Sequence, residues 1–285
     1  MEKIGIIDLG SNTARLVIVD MFADGHYMVV DELKESVRLG QDMERDGFLK
    51  PQRVAETIRT LKMFKRLCDA SNVDKIIAVG TAAVRRAKNQ RSFLDEIQAT
   101  CNLRIRVLSE EEEATLVYRG VINSMDIPRG LILEIGGGST KIVYYNRRNM
   151  LNYATLPFGA VTLTALFAAD ENPEEATKHV EEFFTEQLKQ LPWLKEVDPE
   201  TQMIGVGGSF RNLFKIRKLI KKYPLDMLHN YNIAVASDPF AWVTAGVAGM
   251  VITYVIFKKI ERRWNSESPA VGLGHITVSA KSKAS

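Results

Sequence analysis

Two acids stand in the same setting, Asp8 in "IGIIDLGSNT" and Glu134 in "LILEIGGGST", each at the end of an apolar run and just before a glycine turn. Turns of this kind present successive backbone N–H groups with no Cβ in the way, so an anion can approach and collect them. The hydroxyls of Ser11, Thr13, Ser139 and Thr140 add donors to Gly10, Asn12, Gly136, Gly137 and Gly138, and a third such turn, Gly207, Gly208 and Ser209, comes after "MIGV". The chemistry they suit is the holding of phosphate. None carries the lysine of a P-loop and none reads G-x-G-x-x-G, so nucleotide binding of the P-loop and Rossmann kinds is excluded. Two carboxylates beside phosphate oxygens repel their ligand unless a divalent cation lies between them, so Asp8 and Glu134 are candidate ligands for Mg²⁺ or Mn²⁺. Read more plainly, each is a strand-end turn residue. Among Glu110, Glu111, Glu112 and Glu113, one acid pointing inward is a candidate base for an attacking water, while the others favour the positive end of their own helix.

The elements that must position these residues repeat. Asp8, Leu9, Gly10, Thr13, Arg15, Leu16 and Val17 fall opposite Glu134, Ile135, Gly136, Ser139, Lys141, Ile142 and Val143. This implies an α/β fold of two similar halves with a cleft between them. Residues 3–7, 16–19 and 27–31 read as short strands joined by tight turns. Val54, Ile58, Leu61, Phe64 and Leu67 lie at helical spacing after Pro51, which suits a first helical position. Ser109 with Glu112 three residues on forms a capping-box pattern, and Asn172 and Pro173 take the N-cap and first-turn roles of a later amphipathic helix.

A chain of 285 residues, 46% hydrophobic and 26% charged, is globular and long enough for two domains. Its net charge is only +3, but ten Lys or Arg against three acids lie between Arg53 and Arg91, and six more basic residues lie between Arg211 and Lys222. Solvated helix faces account for such runs, and so does a polyanionic partner. They lack the interleaved aromatics of nucleic-acid readers, so no nucleic acid is expected. His26, His179, His229 and His275 are scattered without ligand spacing. Cys68 and Cys101, read as lying in a helix and at a strand edge, have no metal-ligand spacing and are expected as reduced thiols. "MEKIGIIDLG" enters a strand at once and is not a signal peptide, so a cytoplasmic location is expected.

Taken together and in order, "DLGSNTARLVI", "VGTAAVRRAKN", "SEEEEATLVYRGV", "LEIGGGSTKIV", "LPFGAV", "IGVGGSFRNL" and "YPLDMLHNYNI" resemble the exopolyphosphatase and guanosine pentaphosphate phosphohydrolase (Ppx/GppA) family, from about residue 3 to residue 233. The resemblance implies two ribonuclease-H-like domains of the actin-like ATPase superfamily, expected at 1–122 and 123–285, with the tail after about 235 atypical. It implies a phosphate chain lying across the interdomain cleft and Mg²⁺-assisted hydrolysis of the terminal phosphoanhydride of inorganic polyphosphate, or of guanosine pentaphosphate. Glu113 then becomes the general base, Arg85 a phosphate ligand, and Ser11, Asn12, Gly137, Gly138 and Ser139 the lining of two phosphate loops. Gly207 to Ser209 matches the third glycine turn of the family, whose members are commonly homodimers.

Departures accompany the match. The family's usual Asp is Glu134, which moves the carboxylate by about 1.5 Å, Lys141 replaces an acid, and Thr162 stands where an Arg is usual. The 18 uncharged residues from Phe240 to Phe257 read as a buried helix, as a span meeting the lower length limit for a membrane, or as an altered tail. A membrane is not the expected partner. A phosphate-chain sensor without turnover and a sugar or acetate kinase of the same superfold are the competing functional readings.

Overall fold

The computed structural model describes residues 1–167, 173–198 and 201–211. Two compact units divide at Glu113 and Ala114.

The first unit is built on a five-stranded sheet ordered β3-β2-β1-β4-β5, with β1 at Glu2–Leu9, β2 at Thr13–Met21, β3 at Tyr27–Ser36, β4 at Lys75–Gly80 and β5 at Ile105–Val107. β1, β2 and β3 form an antiparallel meander, while β4 pairs parallel with β1 and β5 parallel with β4. Parallel pairing requires crossovers, and helices α1 (Pro51–Ala70), α2 (Ala82–Arg86) and α3 (Gln90–Cys101) supply them. α1 starts at Pro51 and buries Ile58, Leu61 and Phe64, as its spacing predicts, with Thr57 and Cys68 on the same side. These meet Ile7, Leu9, Leu16 and Ile18 of the sheet in one continuous core.

Two details differ from the sequence reading. β3 continues to Ser36 through the polar stretch "DELKES", because an edge strand is held by backbone pairing to β2 and needs no apolar face. Cys101 is the last residue of α3 instead of a strand-edge residue, and Asn102, in the left-handed region at φ 50°, turns the chain out of the helix. Both cysteines are buried free thiols.

The division between the units falls within α4, Glu110–Ser124. Ser109 Oγ accepts the Glu112 amide at 3.1 Å and Glu112 accepts the Ser109 amide at 2.8 Å, which is the predicted reciprocal cap.

In the second unit, β6 (Arg129–Ile135), β7 (Thr140–Asn146), β8 (Asn149–Leu156) and β9 (Gln202–Val206) form a sheet ordered β8-β7-β6-β9. The first three are antiparallel and β9 is parallel to β6, so the unit repeats the first four strands of the other sheet. Helix α5 (Ala160–Leu166) comes after β8, and α6 (Pro173–Lys189) buries Val180, Phe184 and Leu188 against Leu131, Leu133 and Phe158. The expected cap at Asn172, His229, His275 and the run 240–257 lie outside the described residues. Among the described residues no helix is long and apolar enough to cross a membrane.

Candidate active site

The two glycine turns are built alike. Leu9 pairs with Ala14 and Asp8 with Arg15 across the β1–β2 hairpin; Ile135 pairs with Thr140 and Glu134 with Lys141 across β6–β7. Each turn closes on one hydrogen bond of 2.9 Å, from the Gly10 amide to Thr13 O and from the Gly136 amide to Ser139 O.

Segments later in the chain fix which way the peptides of each hairpin face. The amides of Arg38 and Gly40 donate to Asn12 O and Ser11 O at 2.8 Å, and those of Ala160 and Val161 donate to Gly136 O and Gly137 O at 2.8 and 2.9 Å. A trans peptide points its N–H opposite to its C=O. With their carbonyls tied back, the peptides aim the N–H groups of Asn12 and Thr13, and of Gly137 and Gly138, away from those ties as donors for an anion. Close approach is what Gly159 permits, since a Cβ there would lie 2.3 Å from Gly136 O. Thr162 takes part in the same junction, its Oγ1 accepting the Gly159 amide at 2.8 Å.

Strand ends are anchored too. Thr81, the residue before α2, donates its amide to Leu9 O at 3.1 Å, while Ser209 donates its hydroxyl to Ile135 O at 3.1 Å. Ser209, expected at a phosphate, therefore supports the neighbouring turn. Gly207, at φ +95°, makes the left-handed bend that ends β9, and Gly208 is exposed beside it. Thr140 is likewise committed to structure, its buried Oγ1 donating to Phe158 O at 2.8 Å.

Arg85 and Glu113 meet in the first unit. The Arg85 amide caps back onto Thr81 O at 2.9 Å, so the arginine is tied directly to the residue that anchors the first turn. Its Nη1 donates to Glu113 Oε2 and to Leu108 O, both at 2.9 Å, and Nη2 lies 3.8 Å from Glu110 Oε1. The side chains are only 17% and 12% exposed. Sequence motifs name both residues but carry no sign that they pair. Of the basic run, Arg53 and Lys65 pair with Glu56 and Asp69 on their own helix.

A second ion pair lies beyond what the motifs indicate. Lys141 Nζ lies 2.8 Å from Glu134 Oε2 and 3.3 Å from Ser139 Oγ, its side chain 3% exposed. The hairpin register carries the signal, since a four-residue turn sets 134 opposite 141. This arrangement does not fit a divalent ion at Glu134: an ammonium already holds the carboxylate, and a second cation there would meet like charge at short range. Asp8 is exposed at the corresponding place in the first unit.

Comparison with known proteins identifies the family and the fold. The family model described as Ppx/GppA phosphatase family matches residues 18–237. The chain belongs to that family. The crystal structure of the Aquifex aeolicus family member is 26% identical with a TM-score of 0.70, over 93% of this chain and 91% of that one. An exopolyphosphatase from Cytophaga hutchinsonii is 26% identical with a TM-score of 0.76, over 92% and 91%. The fold is therefore the actin-like ATPase type that the strand orders display. A bifunctional 3-dehydroquinate synthase/phosphatase from Fusobacterium nucleatum is 27% identical over 240 residues, 80% of this chain and 36% of that protein. This Ppx/GppA chain thus spans about a third of the length of that curated relative.

Proposed function

We propose that this chain is a phosphoanhydride hydrolase that releases orthophosphate from the end of inorganic polyphosphate. The observation that carries the proposal is the Arg85–Glu113 pair, held by Thr81 to the end of the strand that leads into the first glycine turn. Phosphoryl transfer asks little covalent chemistry of the protein, so positioned donors and charge suffice with a base for water. The amides of Asn12 and Thr13 supply donors, Arg85 a guanidinium whose planar fork suits phosphate oxygens, and Glu113 the base. A phosphate arriving at Arg85 competes with Glu113 for the guanidinium, and the released carboxylate can turn to the attacking water. Substrate binding would in this way ready the base. Similarity to the Cytophaga hutchinsonii exopolyphosphatase supports polyphosphate as the substrate class.

Guanosine pentaphosphate ends in the same anhydride, so the test places both substrates side by side at matched concentration, with and without Mg²⁺. Phosphate release that is faster from polyphosphate, and shortens the chain from one end, is the expected result. Release from guanosine pentaphosphate alone would move the assignment to that substrate, and binding of polyphosphate with no release under any metal would make the chain a sensor.

A further inference from the structure

The glycine turn of the second unit sits beside a buried ammonium. Lys141 is two residues past Ser139 and is buried, its ammonium 2.8 Å from the Glu134 carboxylate and 3.3 Å from the Ser139 hydroxyl. Its register equivalent in the first unit, Arg15, is turned elsewhere, its Nε 2.9 Å from Glu32 Oε1. A buried ammonium is retained at high desolvation cost, and one paired to a carboxylate could be purely structural. Its place argues for more. Ser139 Oγ belongs to the turn whose Gly137 and Gly138 amides face away from the α5 ties, so the ammonium stands at the edge of the anion cradle itself.

We propose that Lys141 is the built-in counter-cation of this second phosphate loop, holding an anionic oxygen of the phosphate chain where a carboxylate-bound divalent ion was expected. Glu134 then serves as the positioning residue that aims the ammonium. The inference rests on the proposed binding of a phosphate chain. It adds that binding at this loop needs no metal.

Tripolyphosphate is the probe, titrated calorimetrically into the whole protein in a metal chelator and again in Mg²⁺. The wild type is expected to bind in the chelator. The paired variant Glu134→Gln with Lys141→Met removes both charges without leaving a buried carboxylate alone, and it is expected to lose at least about tenfold in affinity. Lys141→Arg, which keeps a cation, is expected to stay within a few-fold of wild type, and thermal melting confirms that each variant folds. Equal affinity of the paired variant and the wild type would reduce the ion pair to scaffolding and overturn the inference. Wild-type binding that appears only with Mg²⁺ would overturn it too, yet leave the hydrolase reading standing. Failure to bind tripolyphosphate in either condition would remove both.

Discussion

Arg85 Nη1 donates to Glu113 Oε2 at 2.9 Å across 28 residues of sequence. The same nitrogen reaches Leu108 O, so the guanidinium is fixed against the end of β5. A residue assigned to phosphate and a residue assigned to water are thereby hydrogen-bonded partners.

Glu113→Gln keeps the shape and the hydrogen bond to Arg85 but cannot accept a proton. Phosphate release from polyphosphate is expected to fall roughly 10²- to 10⁴-fold, the usual worth of a general base. Tripolyphosphate affinity is expected to hold or rise. Single-turnover phosphate release beside equilibrium binding checks both.

Arg85→Lys keeps one positive charge but cannot span Leu108 O and Glu113 in one planar group. Loss of one charge-assisted contact to phosphate is about 1.5–3 kcal/mol, so kcat/KM is expected to drop roughly ten- to hundredfold. The loss should fall mainly on KM if Arg85 holds the ground-state chain and mainly on kcat if it readies Glu113. Steady-state kinetics over a range of polyphosphate concentrations separates these.

Gly159→Ala places a methyl 2.3 Å from Gly136 O, a backbone atom that cannot step aside without opening the Gly136–Ser139 turn. Destabilisation of more than about 2 kcal/mol is expected, together with loss of tripolyphosphate binding. Gly120→Ala is the control: it lies inside α4 with nothing near the new methyl, and should stabilise by roughly 0.5–1 kcal/mol. Thermal melting of the two variants should move in opposite directions.

Burial, with Tyr118 beside it, pushes the Tyr145 phenol up from its ordinary 10.0 to about 12. Its hydroxyl is buried without a hydrogen-bond partner among the described residues. Below pH 10 both states keep the proton and the contribution is whole. As pH rises further the unfolded chain gives up its proton first, so stability falls by up to about 1.4 kcal/mol per pH unit until the folded phenol titrates. Tyr145→Phe should flatten this alkaline slope at little cost at neutral pH, measured by denaturant unfolding between pH 8 and 11.

The paired hairpins are legible in the sequence because two independent regularities coincide there, an apolar run and a glycine turn, each occurring twice. α1 declares itself through Ile58, Leu61 and Phe64, and the cap of α4 through Ser109 and Glu112, all of which depend on neighbours within a turn or two. The polar half of β3 stays hidden because its partner is the backbone of β2, which leaves no mark on side-chain pattern. Arg85 and Glu113 carry motif signals separately, yet their contact depends on how α2, the end of β5 and α4 pack, and spacing does not report that. Lys141 and Glu134 lie within reach of simple hairpin arithmetic. The acid that heads the second turn draws the eye toward a metal and away from the cation facing it.

One asymmetry between the halves shapes how freely each can change over time. At position 81 the main-chain amide fastens the carbonyl of Leu9 at 3.1 Å and the hydroxyl adds only a long contact of 3.5 Å, whereas at position 209 the fastening of Ile135 belongs to a hydroxyl. Almost any amino acid except proline can serve at the former, but only serine or threonine can serve at the latter. Mutational drift should therefore be wide at Thr81 and narrow at Ser209, although the two perform the same task.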